Sequence, residues 1–308
     1  MNNLITINDL STQQLQRLVQ EGECINNATE FDKKLDGKLI GLFFKKLSTR
    51  TQTAFHRAVL NYGGNVVAYP DGALQLSSGE SLKDTGHALG LYLDLLVIRT
   101  NEQTADMRTL IENTNMPVIN ALCASEHPTQ AIADLITIKE SFGELNNKSI
   151  LYVGTANNTM YSLALAVLKI PSMHITLLTP LDFSLSEDKI SNLKKISVTN
   201  GSSFSQIHSR SEITDSADVI YTTRWASMGE APTKSDWLND FKMLKIDSAF
   251  MNEVVKNEQS IFMHDLPAQR ELEVSSEVMD GERSVIWHQA RNKMTASMVA
   301  ITYCLNLL

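Results

Sequence analysis

The sequence predicts an α/β protein with two doubly wound parallel-sheet domains. Three observations carry this. Apolar runs of strand length alternate with helical stretches along the chain. The alternation breaks once, at Gly143 and Asn146-Asn147, and then resumes. The length, 308 residues, suits two domains at about 100–200 residues each.

In the first half, Leu39–Phe44 reads as a buried strand and Thr51–Tyr62 as a helix stopped by Gly63-Gly64. Asn65–Tyr69 is a short strand, Ser81–Tyr92 is helical, and Leu95–Arg99 is a strand of Leu, Val and Ile. Met107–Asn113 is helical and Pro117–Ala121 is a strand. Pro128–Phe142 spaces Ile132, Leu135, Ile136 and Ile138 as a long helix would. The second series runs through Ser149–Val153, Tyr161–Leu168, His174–Leu178, Glu187–Ile196, Val219–Thr222 and Ser260–His264. The expected boundary lies near 143–148. It gives a first domain at 1–142, a second at 143–289, and a last helix, Ala290–Leu307, that packs back on the first domain.

Composition narrows the function. Hydrophobic residues make up 43% and charged residues 20%, which excludes a disordered or collagen-like chain. Net charge is −8 and no basic stripe is present, so no nucleic-acid partner is expected. No apolar run reaches the roughly 18 residues of a membrane span. Met1-Asn2-Asn3-Leu4 lacks a signal-peptide pattern, so the expected location is cytoplasmic. Cys24, Cys123 and Cys304 have neither disulfide nor zinc spacing, and Cys123 reads as buried and inert. Val153-Gly154-Thr155-Ala156-Asn157-Asn158 is no dinucleotide fingerprint; neither metal nor organic cofactor is expected. Trp225 reads as a packed aromatic or a pocket wall, and Trp237 and Trp287 as core or interface residues.

Three polar clusters follow strands. Ser48-Thr49-Arg50-Thr51 opens a helix directly after Leu39–Phe44. Its hydroxyls, its unpaired backbone N–H groups and the helix dipole favour an anion, and the Arg50 fork matches phosphate. A Ser-Thr pair alone would be an ordinary N-cap. Arg99 ends a second strand, where open α/β sheets place ligand groups. His127-Pro128-Thr129-Gln130 opens the long helix after a third, with Pro128 suited to the first turn.

These clusters resemble the carbamoyl-phosphate motifs of the aspartate/ornithine carbamoyltransferase family. Further segments extend the resemblance over nearly the whole chain: Gly79–Thr85, Asp218–Tyr221, His264-Asp265-Leu266-Pro267, Glu273-Val274 and Gln289-Ala290-Arg291-Asn292. The resemblance implies transfer of a carbamoyl group from carbamoyl phosphate to an amino-acid amine, in a cleft between the two domains. Ser48, Thr49, Arg50 and Thr51 would bind phosphate. Arg50, Arg99, His127 and Gln130 would contact carbamoyl or phosphate, and the Leu266 and Pro267 carbonyls would accept from the carbamoyl NH2. It also implies a homotrimer in which the Gly72–Lys83 loop reaches a neighbour.

The acceptor residues point two ways. Asn157-Asn158 and Ser227-Met228-Gly229 resemble the ornithine branch, with Asn158 on the acceptor's amino-acid end and Met228 in the acceptor loop. Thr223-Arg224 resembles the aspartate branch, where the Arg grips a carboxylate, and Thr223 replaces the ornithine branch's Asp. Asp265 stands where the branches carry Cys or Pro, and supplies the negative charge that Thr223 lacks. Gln52 replaces a second Arg, Lys293 an Arg of the substrate site, and Ser78 and Gly79 a loop Lys. Ornithine, giving citrulline as in arginine biosynthesis, is the leading acceptor. Aspartate, another amino acid, or a weakened ligand-binding paralogue are the alternatives.

Overall fold

The computed structural model describes residues 1–45, 48–74, 79–112, 114–226 and 236–308. It divides into two compact units, Met1–Ile136 with Arg291–Leu308, and Thr137–Ala290. Each is a parallel-sheet α/β unit, as the alternation predicts.

The first unit contains α1 (Thr12–Asn27), β1 (Leu39–Phe44), α2 (Thr49–Asn61), β2 (Asn65–Pro70), α3 (Leu82–Gly90), β3 (Leu95–Arg99), α4 (Thr104–Leu110) and β4 (Val118–Asn120). Its sheet runs β2-β1-β3-β4, all parallel. The chain winds outward from β1 to β2, then returns to build β3 and β4 on the other side. The reversal lies between β1 and β3, where carboxyl strand ends leave room for a ligand. Every residue of β3 is buried, and so is all of β1 after Leu39. Continuous apolar runs belong to strands covered on both faces. The register pairs Phe44 with Arg99, so the segment leading into α2 departs beside Arg99.

Two N-terminal features were absent from the expected series. Leu4 extends the sheet edge, its N–H donating to the Val118 carbonyl at 2.9 Å and its own carbonyl accepting from Asn120 N–H at 2.8 Å. Helix α1 starts at a capping box in which Ser11 and Gln14 satisfy each other's backbone N–H. Leu15, Leu18, Val19 and Gly22 form its buried stripe.

Helix α5 (Pro128–Phe142) spans the division at Ile136, upstream of the expected 143–148 boundary. The second unit holds β5 (Ser149–Val153), α6 (Asn158–Leu168), β6 (His174–Leu178), α7 (Glu187–Asn200), β7 (Ser203–Ile207), β8 (Val219–Thr222), α8 (Leu238–Phe241), α9 (Ser248–Val254), β9 (Ile261–His264) and α10 (Ser276–Asp280). Helix α11 (Ile286–Cys304) starts four residues before the expected Ala290 and spans the second division.

The second sheet runs β7-β6-β5-β8-β9, again parallel, with its reversal between β5 and β8. Strand β7 was not expected. Ser203-Phe204-Ser205-Gln206-Ile207 lacks an apolar run because it lies at the edge, with no buried residue. Trp225 is packed in the core, its ring stacked on Phe241 at 4.9 Å. Gly154 ends β5 at φ +139°, and a Cβ there would sit 3.4 Å from Trp225. Trp237 packs partly buried against the same core, whereas Trp287 lies outside it, 65% exposed.

Candidate functional site

In the first unit, the polar clusters gather at the carboxyl ends of the strands. Ser48 is the extended N-cap residue of α2, and no backbone N–H of the helix donates to its side chain. Thr49, Arg50 and Thr51 form the first helical turn, whose N–H groups have no partner within the helix. Thr49 is exposed, Arg50 and Ser48 are half-buried, and Thr51 is buried. Arg99 Nη1 donates to Thr51 Oγ1 at 3.4 Å, tying the end of β3 to the start of α2. Lys45, the nearest described lysine in sequence, is paired with Glu102 at 2.5 Å.

His127 precedes α5 and is buried. Burial first, then the nearby Arg99 guanidinium and Lys293 ammonium, hold its imidazole well below the ordinary histidine value. It is therefore neutral at physiological pH. Thr129 Oγ1 lies 3.4 Å from His127 Nδ1. Gln130 is fixed at both ends of its amide: Nε2 donates to Asp134 Oδ1 at 2.7 Å, and Oε1 accepts from Lys293 Nζ. Arg99, bonded to Thr51, and Lys293, bonded to Gln130, both act electrostatically on His127, and Arg50 stands beside Thr51 on the same turn. Asp134 was missed from sequence; its signal is the i,i+4 spacing from Gln130 on α5.

The second unit carries its own group at the ends of β5, β8 and β9. Asn157 caps α6, accepting from Met160 N–H at 2.9 Å, and its Nδ2 donates to Thr223 Oγ1 at 3.4 Å. Thr223 Oγ1 donates to Asp265 Oδ1 at 2.9 Å. Asn158 is the first residue of α6 and Arg224 follows Thr223, both half-buried. Thr223 thus joins Asn157 and Asp265 through hydrogen bonds. Asp265 keeps 15% of its side chain exposed.

Leu266 adopts a left-handed φ of 55°, and its peptide bond to Pro267 is cis. Leu266 N–H donates to His264 Nδ1 at 2.8 Å. His264 Nε2 lies 3.3 Å from Glu273 Oε1, and both side chains are fully buried. Ser227 and Met228, with the rest of the expected acceptor loop, lie outside the described residues, as does Ser78. Among the described residues no group of His, Cys, Asp and Glu could hold a metal ion. None of their helices is long and apolar enough to cross a membrane.

Comparison with known proteins places this geometry. Residues 2–140 match the aspartate/ornithine carbamoyltransferase carbamoyl-P binding domain, and residues 146–304 the Asp/Orn binding domain of the same family. The ornithine carbamoyltransferase of Gloeobacter violaceus is 35% identical over 304 residues, covering 97% of this chain and 94% of that protein. The structure of ornithine carbamoyltransferase from Pyrococcus furiosus superposes with a TM-score of 0.92 at 29% identity, covering 100% of this chain and 98% of that one. Aspartate transcarbamoylase from Trypanosoma cruzi, solved with carbamoyl phosphate and aspartate, gives 0.85 at 27% identity, covering 97% and 95%. Both family domains, in order and over almost the entire length, make this chain a member of the aspartate/ornithine carbamoyltransferase family.

Proposed function

We propose that the protein transfers the carbamoyl group of carbamoyl phosphate to the side-chain amine of ornithine, giving citrulline and phosphate. The observation that carries this is the set of groups that share His127's electrostatic surroundings: Arg99 bonded to Thr51, and Lys293 bonded to a Gln130 that Asp134 also holds. Such a set suits a dianion that bears an activated carbonyl.

Ser48, Thr49, Thr51 and the first-turn N–H groups of α2 bind the phosphate. Arg50 and Arg99 neutralise charge on the leaving group and the developing oxyanion. In the tautomer whose Nδ1 accepts from the Thr129 hydroxyl 3.4 Å away, His127 carries its proton on Nε2 and offers it to the carbonyl oxygen. Gln130 helps orient the carbamoyl group, and the Leu266 and Pro267 carbonyls accept from its NH2. The neutral acceptor amine attacks the carbonyl carbon, the C–O bond to phosphate breaks, and the amine's extra proton leaves with phosphate or solvent. No covalent enzyme intermediate is needed; orientation and charge stabilisation supply the rate.

The acceptor assignment rests on Asp265. A carboxylate at the edge of β8 and β9, steadied by Thr223, attracts an acceptor with a second, cationic amine and repels the side chain of aspartate. Asn158 and Arg224 hold the amino-acid end, Arg224 through its carboxylate. Ser227 and Met228 are assigned to the same acceptor, and Lys293 to the substrate site through Gln130. The same reading carries a cytoplasmic homotrimer.

The test is incubation with carbamoyl phosphate and a panel of amino acids, with ureido products identified by mass. Ornithine should give citrulline, and Asp265→Asn should raise the ornithine KM at least about tenfold, the loss expected for one charged contact. An unchanged KM removes the role of Asp265. Retained carbamoyl-phosphate binding without any ureido product would indicate a ligand-binding paralogue instead.

A further inference from the structure

The turn after β9 is held by two buried side chains that no substrate contact requires. His264 is the last residue of β9 and Glu273 lies nine positions on, and neither side chain reaches solvent. Between them stands the Asp265-Leu266-Pro267 turn. Leu266 N–H donates into His264 Nδ1 at 2.8 Å, so that nitrogen is an acceptor and carries no proton. In the neutral ring the proton is then on Nε2, which faces Glu273 Oε1 at 3.3 Å. The same carboxylate oxygen accepts the backbone N–H of Gln269, just past the turn. One oxygen therefore gathers a donor from each side of the turn. The main chain of His264 is anchored separately: its N–H donates to Gln289 Oε1 at 2.8 Å, and Gln289 Nε2 donates to Tyr221 Oη on β8 at 2.9 Å.

The second Glu273 oxygen, Oε2, is buried with no hydrogen-bond partner among the described residues. A carboxylate with one idle oxygen in the core is a poor choice for stability alone, because each unsatisfied buried acceptor is destabilising. What the carboxylate does accomplish is geometric. It selects the imidazole tautomer, and the tautomer fixes the Asp265–Leu266 peptide plane by receiving its N–H.

We propose that His264 and Glu273 are positioning residues that set the Asp265-Leu266-Pro267 turn through a single imidazole tautomer. The inference rests on the reading that this turn meets the reactants. It adds two residues that act only through the turn, with Glu273 acting on His264 and His264 on Leu266.

Two measurements test it. Nitrogen-15 spectra of the wild-type imidazoles should show His264 protonated on Nε2 and bare on Nδ1; a proton on Nδ1 overturns the proposal. In steady-state transfer to ornithine, His264→Phe should lower kcat by about 10²-fold, the scale of a reacting group displaced by about 1 Å, while the carbamoyl-phosphate KM stays within about threefold. His264→Asn, whose amide oxygen can accept the Leu266 N–H, should recover most of the lost kcat. A folded His264→Phe enzyme with wild-type kcat, or a folded His264→Asn enzyme no better than His264→Phe, overturns it. Should His264→Phe fail to fold, the tautomer and His264→Asn decide alone. If the wild type carbamoylates no amine, the proposed function falls, and the wild-type tautomer still decides whether the turn is held as described.

Discussion

Arg50 is the residue on which the phosphate reading leans most. It sits in the first turn of α2, next to Thr51, which Arg99 grips from β3. Removing one oxyanion-stabilising donor typically costs about 10²–10³ in rate. Arg50→Ala should lose at least that much in kcat/KM for carbamoyl phosphate; wild-type activity would refute the assignment. His127 makes a separate prediction about pH. In the unfolded chain it takes up a proton near its ordinary value of about 6.5. In the folded protein burial and the neighbouring Arg99 and Lys293 charges prevent this until the pH is well below that. Within this window the unfolded state binds more protons, so stability rises with pH and falls on acidification. Melting temperatures from about pH 7.5 down to about pH 5.5 should fall more steeply for wild type than for His127→Asn. Equal slopes would show that His127 is not held neutral.

The elements differ in how much of them the sequence discloses. Strands β1, β3, β5, β8 and β9 were legible because strands covered on both faces read as unbroken apolar runs. The site clusters were legible for a related reason: each is a short polar segment at the carboxyl end of such a strand. Strand β7 was not, since an edge strand without buried residues needs no apolar run, and α1 was not, since its four buried residues lie among glutamines. The tie from Glu273 to His264 also escaped, because only the folded turn brings these groups within hydrogen-bond reach, and the tie from Asp134 to Gln130 was passed over although its i,i+4 spacing on α5 is a local signal. Helix packing adds one requirement the sequence did not announce. A Cβ built on Gly86 in α3 would lie 1.7 Å from the Leu110 carbonyl oxygen at the end of α4. Backbone cannot rotate aside as a side chain does, so α3 must shift. Gly86→Ala should destabilise the protein by about 1–3 kcal/mol, measured by denaturant unfolding.

At the scale of the whole molecule, the three thiols report on where the core lies. Cys24 is exposed, whereas Cys123 and Cys304 are buried. Burial also pushes the Cys304 thiol well above its ordinary value, which suppresses the reactive thiolate. A thiol reagent should therefore modify Cys24 rapidly in the native protein and the other two only after unfolding; prompt labelling of Cys304 would contradict its burial. The make-up of the first unit has a temporal consequence. Its chain is split in two, and Lys293, which steadies Gln130, comes from the later piece. A ribosome delivers residues 1–136 and then the entire second unit before Lys293 emerges. The nascent chain can thus assemble its first sheet early, yet Gln130 gains its Lys293 partner only after the whole second unit has been made.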